Sequence, residues 1–230
     1  MKKALNYFSK FEIMLWISSI SLITVSFLLF DRSSYLTLVA SLIGATSLIF
    51  CAKGNPIGQM LMIIFGSLYT YISYTFSYYG EMITYLGMSV PMSVFSLISW
   101  LKNPFNGNKA EVRVNTIRKK EILFMLMLAF VVTVIFYFIL KYFNTANLIP
   151  STFSISTSFT AVYLTARRSP YFALVYALND IVLIILWTLA SLKDISYLSV
   201  IICFVMFLAN DLYSFFNWKR IEKRQRENKL

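Results

Sequence analysis

Histidine is absent from the 230 residues. Serine–histidine and cysteine–histidine catalysis are thereby excluded, as is a histidine proton relay. Cysteine is nearly absent: Cys51 and Cys203 both lie in apolar runs without a Cys-x-x-Cys spacing, so they read as packed small residues and no metal or redox site is indicated. No ATP-binding motif occurs, and no cofactor is expected. Charge is scarce, at 13% of residues against 58% hydrophobic, and the longest polar gap spans only about residues 101–121. No soluble domain is left over, and the chain falls among integral membrane proteins.

What is present is a series of apolar runs: residues 11–30, 35–52, 56–78, 82–100, 122–143 and 148–166, then two more within 170–220. The first follows Lys2, Lys3 and Lys10 in the manner of a signal peptide, but Asp31 and Arg32 follow it instead of a cleavage site, so it reads as a retained helix. The expected fold is all-α with eight transmembrane helices. The net charge of +11 points to topology, not to nucleic acid: 18 of the 21 Lys and Arg residues fall at the two termini and in the gaps after runs two, four and six. The positive-inside rule then places both ends in the cytoplasm. A short repeat supports the count. Ala52, Lys53, Gly54, Asn55, Pro56 matches Ala166, Arg167, Arg168, Ser169, Pro170 at an offset of 114. The chain thus divides into an extra helix (1–34), a three-helix bundle (35–102), a cytoplasmic loop with a linker helix (103–147), a second three-helix bundle (148–220) and a basic cytoplasmic tail (221–230). This is a 1+3+1+3 arrangement of two parallel repeats, an architecture that puts a transport site between its halves.

Residues 170–220 carry the chemistry. Two apolar helices joined by a polar turn at Lys193 and Asp194 each hold an Asn-Asp pair, Asn179-Asp180 and Asn210-Asp211. Asp180 lies ten residues beyond Pro170, roughly 15 Å of helix, and Asp211 seven before Trp218, roughly 10 Å. Different depths are expected for the two acids. A carboxylate inside a membrane costs at least about 2.5 kcal/mol, so each is expected to face a bundle interior or a wet cavity. Asp180, Ile184 and Trp187 share one helix face, and Asp211, Ser214 and Trp218 form a similar row. In the third run, Gln59, Ile63, Gly66, Tyr69, Thr70, Ser73 and Ser77 make a small, polar face. Under the 114 offset Asp180 corresponds to Gly66, one half supplying charge and the other space. Pro91 is expected to kink the fourth run. Glu81, near the outer surface, reads as solvated.

The candidate substrate-binding residues are Asn179, Asp180, Trp187, Asn210, Asp211, Tyr213, Tyr69, Tyr74 and Gln59. Carboxylates and aromatic faces suit a flat cation, and amides suit ribose or amide groups. The same residues admit other readings. The acids can serve as hydrogen-bonded glue between helices, or two intramembrane aspartates can form a proteolytic dyad or hold a metal.

Tyr79, Gly80, Glu81, Met82, then Gly87, Met88, Ser89, Val90, Pro91, Met92 and Trp100, Leu101, Lys102, Asn103 resemble the PnuC family of bacterial vitamin transporters. So do the closing Asn210, Asp211, Tyr213 and Trp218. The likeness runs from about Lys53 to the C-terminus. It implies a fold like that of SWEET sugar facilitators and uptake of nicotinamide riboside across the bacterial cell membrane, with thiamine or riboflavin as alternatives. It further implies facilitated diffusion, trapping by cytoplasmic phosphorylation, and a homotrimer in the lipid bilayer. The chain departs from some members in having Ile184, not a second Trp, three residues before Trp187.

Overall fold

The structure is a computed structural model, which describes residues 7–75, 79–145 and 147–228. Its long helices are α1 (Lys10–Phe30), α2 (Tyr35–Ala52), α3 (Ile57–Thr75), α4 (Tyr79–Leu101), α5 (Lys119–Tyr142), α6 (Leu148–Ala166), α7 (Tyr171–Ser191) and α8 (Leu198–Glu227). Seven of these are long and apolar enough to cross a membrane. The other is α6, whose serines and threonines lower its hydropathy. Many of those hydroxyls return a hydrogen bond to their own helix, as Thr152 Oγ1 does to the Leu148 carbonyl and Thr165 Oγ1 to that of Ala161. Lys2, Lys3 and Ser77 lie outside the described residues.

Helix α1 begins with a feature that its apolar run hides. Ser9 and Glu12 form a capping box, each side chain bonding the other's backbone N–H. Glu12 is 1% exposed and also accepts from Tyr213 Oη at 2.8 Å and from Lys53 Nζ at 3.4 Å. One carboxylate therefore ties α1 to α8 and to the α2–α3 turn.

The α2–α3 and α6–α7 turns share one backbone geometry. Gly54 and Arg168 both adopt positive φ, 66° and 58°. Gly54 N–H bonds the Cys51 carbonyl and Arg168 N–H that of Thr165; Asn55 N–H reaches Phe50 and Ser169 N–H reaches Leu164. Each acceptor lies 114 residues from its counterpart. Glycine takes this conformation freely, whereas Arg168 bears the crowding of a Cβ, about 1–2 kcal/mol.

The gap at 101–121 is more ordered than a polar loop. Pro104–Phe105 (β1) pairs antiparallel with Asn108–Val112 (β2) across Asn106-Gly107, both at positive φ. Asn-Gly is the preferred sequence for such a two-residue turn. The segment leaving the hairpin docks under both matching turns: Val112 N–H bonds the Gly54 carbonyl, and Asn115 N–H that of Arg168. Gln225 holds the same segment, accepting from Val114 N–H and donating to the Val112 carbonyl. The basic tail expected at 221–230 is accordingly not separate. Helix α8 continues to Glu227, with Ile221 and Gln225 buried against the hairpin.

In α4 the residues Tyr85–Ser89 form a π-helical turn just before Pro91. The expected kink is thus a widened turn, which accommodates a residue lacking an N–H. Between α7 and α8, Asp194 caps the short turn Ile195–Tyr197 by accepting from Ser196 N–H at 2.9 Å. That bond holds the Asp194 carboxyl below the usual carboxylate range.

Candidate functional site

A cavity of about 160 Å³ lies among α3, α4, α6, α7 and α8. Near the α2–α3 and α6–α7 turns the rings of Trp100 and Trp218 lie 5.4 Å apart, with Phe172 5.0 Å from Trp218. Both indoles are fully buried. Trp100 Nε1 donates to the Thr165 carbonyl at 2.9 Å, and Trp218 Nε1 donates to the Cys51 carbonyl at 2.8 Å. Beside them Ser99 Oγ donates to the Ala166 carbonyl and Asn217 Nδ2 to that of Ala52. The same pair of contacts is made twice, once from α4 onto α6 and once from α8 onto α2.

Helix α7 supplies an amide, a carboxyl group and an indole to the wall. Asn179, Asp180 and Trp187 all line the cavity. Asn179 Oδ1 accepts from Thr157 Oγ1 at 2.7 Å and Ser158 Oγ at 3.1 Å, which leaves its amide N–H groups for a guest. Asp180 Oδ2 is buried without a hydrogen-bond partner among the described residues. Asp211 enters from α8, and both carboxyl groups line the one cavity. Helices α7 and α8 are packed neighbours, which brings the two acids expected at different depths to one cavity. Trp187 also packs on Tyr197, with centroids 5.2 Å apart.

Tyr69 lines the cavity from α3 within a ring cluster, 4.8 Å from Phe65 and 5.2 Å from Tyr85. Gly66 lines it as well, and a Cβ there would come within 2.8 Å of Val90 Cγ2. The glycine that corresponds to Asp180 therefore admits α4 to the cavity wall.

Four of the nine candidates stand elsewhere. Asn210 faces α1, donating to Ser19 Oγ at 2.9 Å and to the Met206 carbonyl at 2.7 Å. Successive helical residues point about 100° apart, and α1 covers the side of α8 that Asn210 occupies. Tyr213 is engaged by Glu12. Gln59 is buried against α2 with Nε2 3.3 Å from Cys51 Sγ. Tyr74 is 60% exposed on the outside of α3.

Two further features belong to the wall. The hydroxyls of Ser89, Ser93, Ser151, Ser154 and Ser158 line the cavity. So does Glu81, which is partly exposed near the start of α4. Its signal was positional: it shares a helix face with Tyr85 and Ser89, at i+4 and i+8. The electrostatic sum is plain. The lining contains three carboxyl groups, Glu81, Asp180 and Asp211, and no Lys or Arg, in a chain with 21 basic residues. Among the described residues no three His, Cys, Asp or Glu side chains gather to hold a metal ion.

Comparison with known proteins agrees with this geometry. The nicotinamide riboside transporter PnuC of Neisseria mucosa is 30% identical over 200 residues, covering 85% of this chain and 76% of the relative. A crystal structure of the vitamin B3 transporter PnuC superposes with a TM-score of 0.79 at 26% identity, covering 95% of this chain and 94% of that one. The sequence profile of the family described as nicotinamide mononucleotide transporter matches residues 34–220. The chain, a multi-pass all-α membrane protein, belongs to this family of transporters, whose named members carry solutes and are not enzymes.

Proposed function

We propose that the chain takes up nicotinamide riboside across the bacterial cytoplasmic membrane. The observation that carries this is the cavity's charge: three carboxyl groups, aromatic faces and no basic side chain. Nicotinamide riboside is a flat cation with ribose hydroxyls. Carboxylates and the Trp187 and Tyr69 rings suit the pyridinium, and the free amide of Asn179 suits a hydroxyl or the carboxamide. The mononucleotide adds a phosphate, which binding sites normally meet with Arg, Lys or a helix N-terminus. Here it would face carboxyl groups in a low-dielectric interior, where like charges repel strongly. The riboside named for the Neisseria relative is thus favoured over the mononucleotide of the family's description. Thiamine is also a cation and remains the second reading; neutral riboflavin gains nothing from the acids.

The finer architecture belongs to the same proposal. Eight spans are arranged 1+3+1+3, with α2–α4 and α6–α8 as parallel repeats of a SWEET-like fold. The matching turns at Gly54 and Arg168 and the doubled tryptophan contacts support the repeat. Both termini are cytoplasmic, so the tryptophan pair closes the inner end and the cavity lies toward the outside. Transport is downhill, and phosphorylation in the cytoplasm traps the product. A homotrimer is implied by the family alone.

Uptake into proteoliposomes tests the reading. Labelled riboside is expected to equilibrate saturably without a proton or sodium gradient, and excess mononucleotide to leave the rate unchanged. Accumulation above equilibrium under such a gradient would overturn downhill transport. Mononucleotide uptake at the riboside's rate would overturn the charge argument.

A further inference from the structure

We propose that Glu81, with the rings of Tyr69 and Tyr85, forms a second station for flat organic cations at the outer mouth of the cavity, which a cation occupies before it reaches Asp180 and Asp211. The proposal rests on the transport reading above and adds a specificity-determining residue to it.

Position is the first observation. Glu81 is two residues from the outer start of α4, about 3 Å by helical rise, whereas Asp180 is 11 residues from the outer end of α7, about 16 Å. Both line one cavity. The acids therefore stand at the two levels of a single path, contributed by opposite halves of the bundle.

Partnership is the second. Glu12, Glu111, Glu121 and Glu222 each form an ion pair with a Lys or Arg, and Glu227 is exposed near the end of α8. Glu81 is in none of the ion pairs among the described residues, and no basic side chain shares its cavity. A carboxyl group on the cavity wall of a membrane protein, without a cation of its own, is suited to one that arrives from outside.

The surroundings are the third. Phe65, Tyr69 and Tyr85 form a cluster with centroid distances of 4.8, 5.2 and 6.2 Å, and all three line the cavity with Glu81. Tyr85 opens the π-helical turn, and such turns recur at functional sites. A carboxylate beside aromatic rings holds a planar cation through charge and cation–π attraction together. Thr84 and Thr145 add hydroxyls to the same wall.

The test uses full-length protein in proteoliposomes, with riboside supplied from the outer side. Glu81→Gln is expected to raise KM about tenfold with kcat within about twofold, the pattern of lost substrate binding. Glu81→Asp keeps the charge and is expected to restore KM to within about threefold of the parent. The neutral 1,4-dihydro form of the riboside has the same shape without the charge, and its inhibition constant against riboside uptake is expected to be unchanged by Glu81→Gln. An unchanged KM in Glu81→Gln overturns the station. So does an equal rise in both variants, which would assign Glu81 to packing. If the parent protein carries no riboside, the transport reading fails on its own. The station then stands or falls on binding of the 1-methylnicotinamide cation, read by calorimetry in the parent and Glu81→Gln; equal affinity in the two overturns it.

Discussion

The two Asn-Asp pairs, alike in sequence, do different work. Asn179 and Asp180 both face the cavity, while Asn210 turns to Ser19 and leaves Asp211 alone on the wall. Asp180 carries an unbonded buried oxygen, and desolvated charge acts more strongly than charge in water. Asp180→Asn is therefore expected to weaken binding of the cationic riboside about tenfold, or about 1.4 kcal/mol. Trp187→Ala is expected to cost about 0.5–2 kcal/mol of affinity, and Trp187→Phe an intermediate amount. Calorimetry and thermal melting on the three detergent-solubilised variants check this. A lowered melting temperature with intact affinity per folded molecule would make these residues helix glue.

At the scale of elements, the decisive feature is the doubled tryptophan contact between the helices and the two matching turns. Trp100 reaches from α4 to the last turn of α6, and Trp218 from α8 to the last turn of α2. Each acceptor carbonyl also receives a turn N–H, from Arg168 or Gly54, so losing an indole N–H leaves the carbonyl satisfied once. Trp100→Phe and Trp218→Phe are each expected to destabilise the protein by about 1–2 kcal/mol, from the lost bond and the smaller ring. Because the rings touch, the double variant is expected to deviate from additivity by about 0.5 kcal/mol or more. Denaturation of the four proteins measures this; strict additivity would show two separate anchors and no shared closure. The hairpin at Asn106-Gly107 belongs to this scale too. Its turn dipeptide was readable, but its docking under Gly54 and Arg168 was not, since those partners are more than 50 residues apart in sequence from one another.

For the whole molecule, the proposed orientation rests on the distribution of charge. Eighteen of 21 basic residues fall at the two termini and in the sequence gaps after the second, fourth and sixth apolar runs, and the cavity wall holds none. Tags at the two ends are expected to resist protease in intact cells and to become accessible only after permeabilisation. Cleavage of either tag in intact cells would break the eight-span arrangement. Helix α1 is not a loose addition to this frame, since buried Glu12 anchors it to α8 and to the α2–α3 turn.

The sequence by itself determined the all-helical membrane class, the bounds of α2 and α6, the matching turns at Gly54 and Arg168, and the presence of acids inside apolar helices. These follow from apolar run length, charge placement and local spacing, which act along the chain. Only the tertiary structure decided which polar residues share a cavity. Asp180 and Asp211 share one cavity because α7 packs on α8, Asn210 is withdrawn because α1 covers its side, and Glu81 joins the wall because Gly66 lets α4 close on α3. Helical periodicity states which residues share a face; the neighbour that each face meets is set by packing between helices distant in sequence.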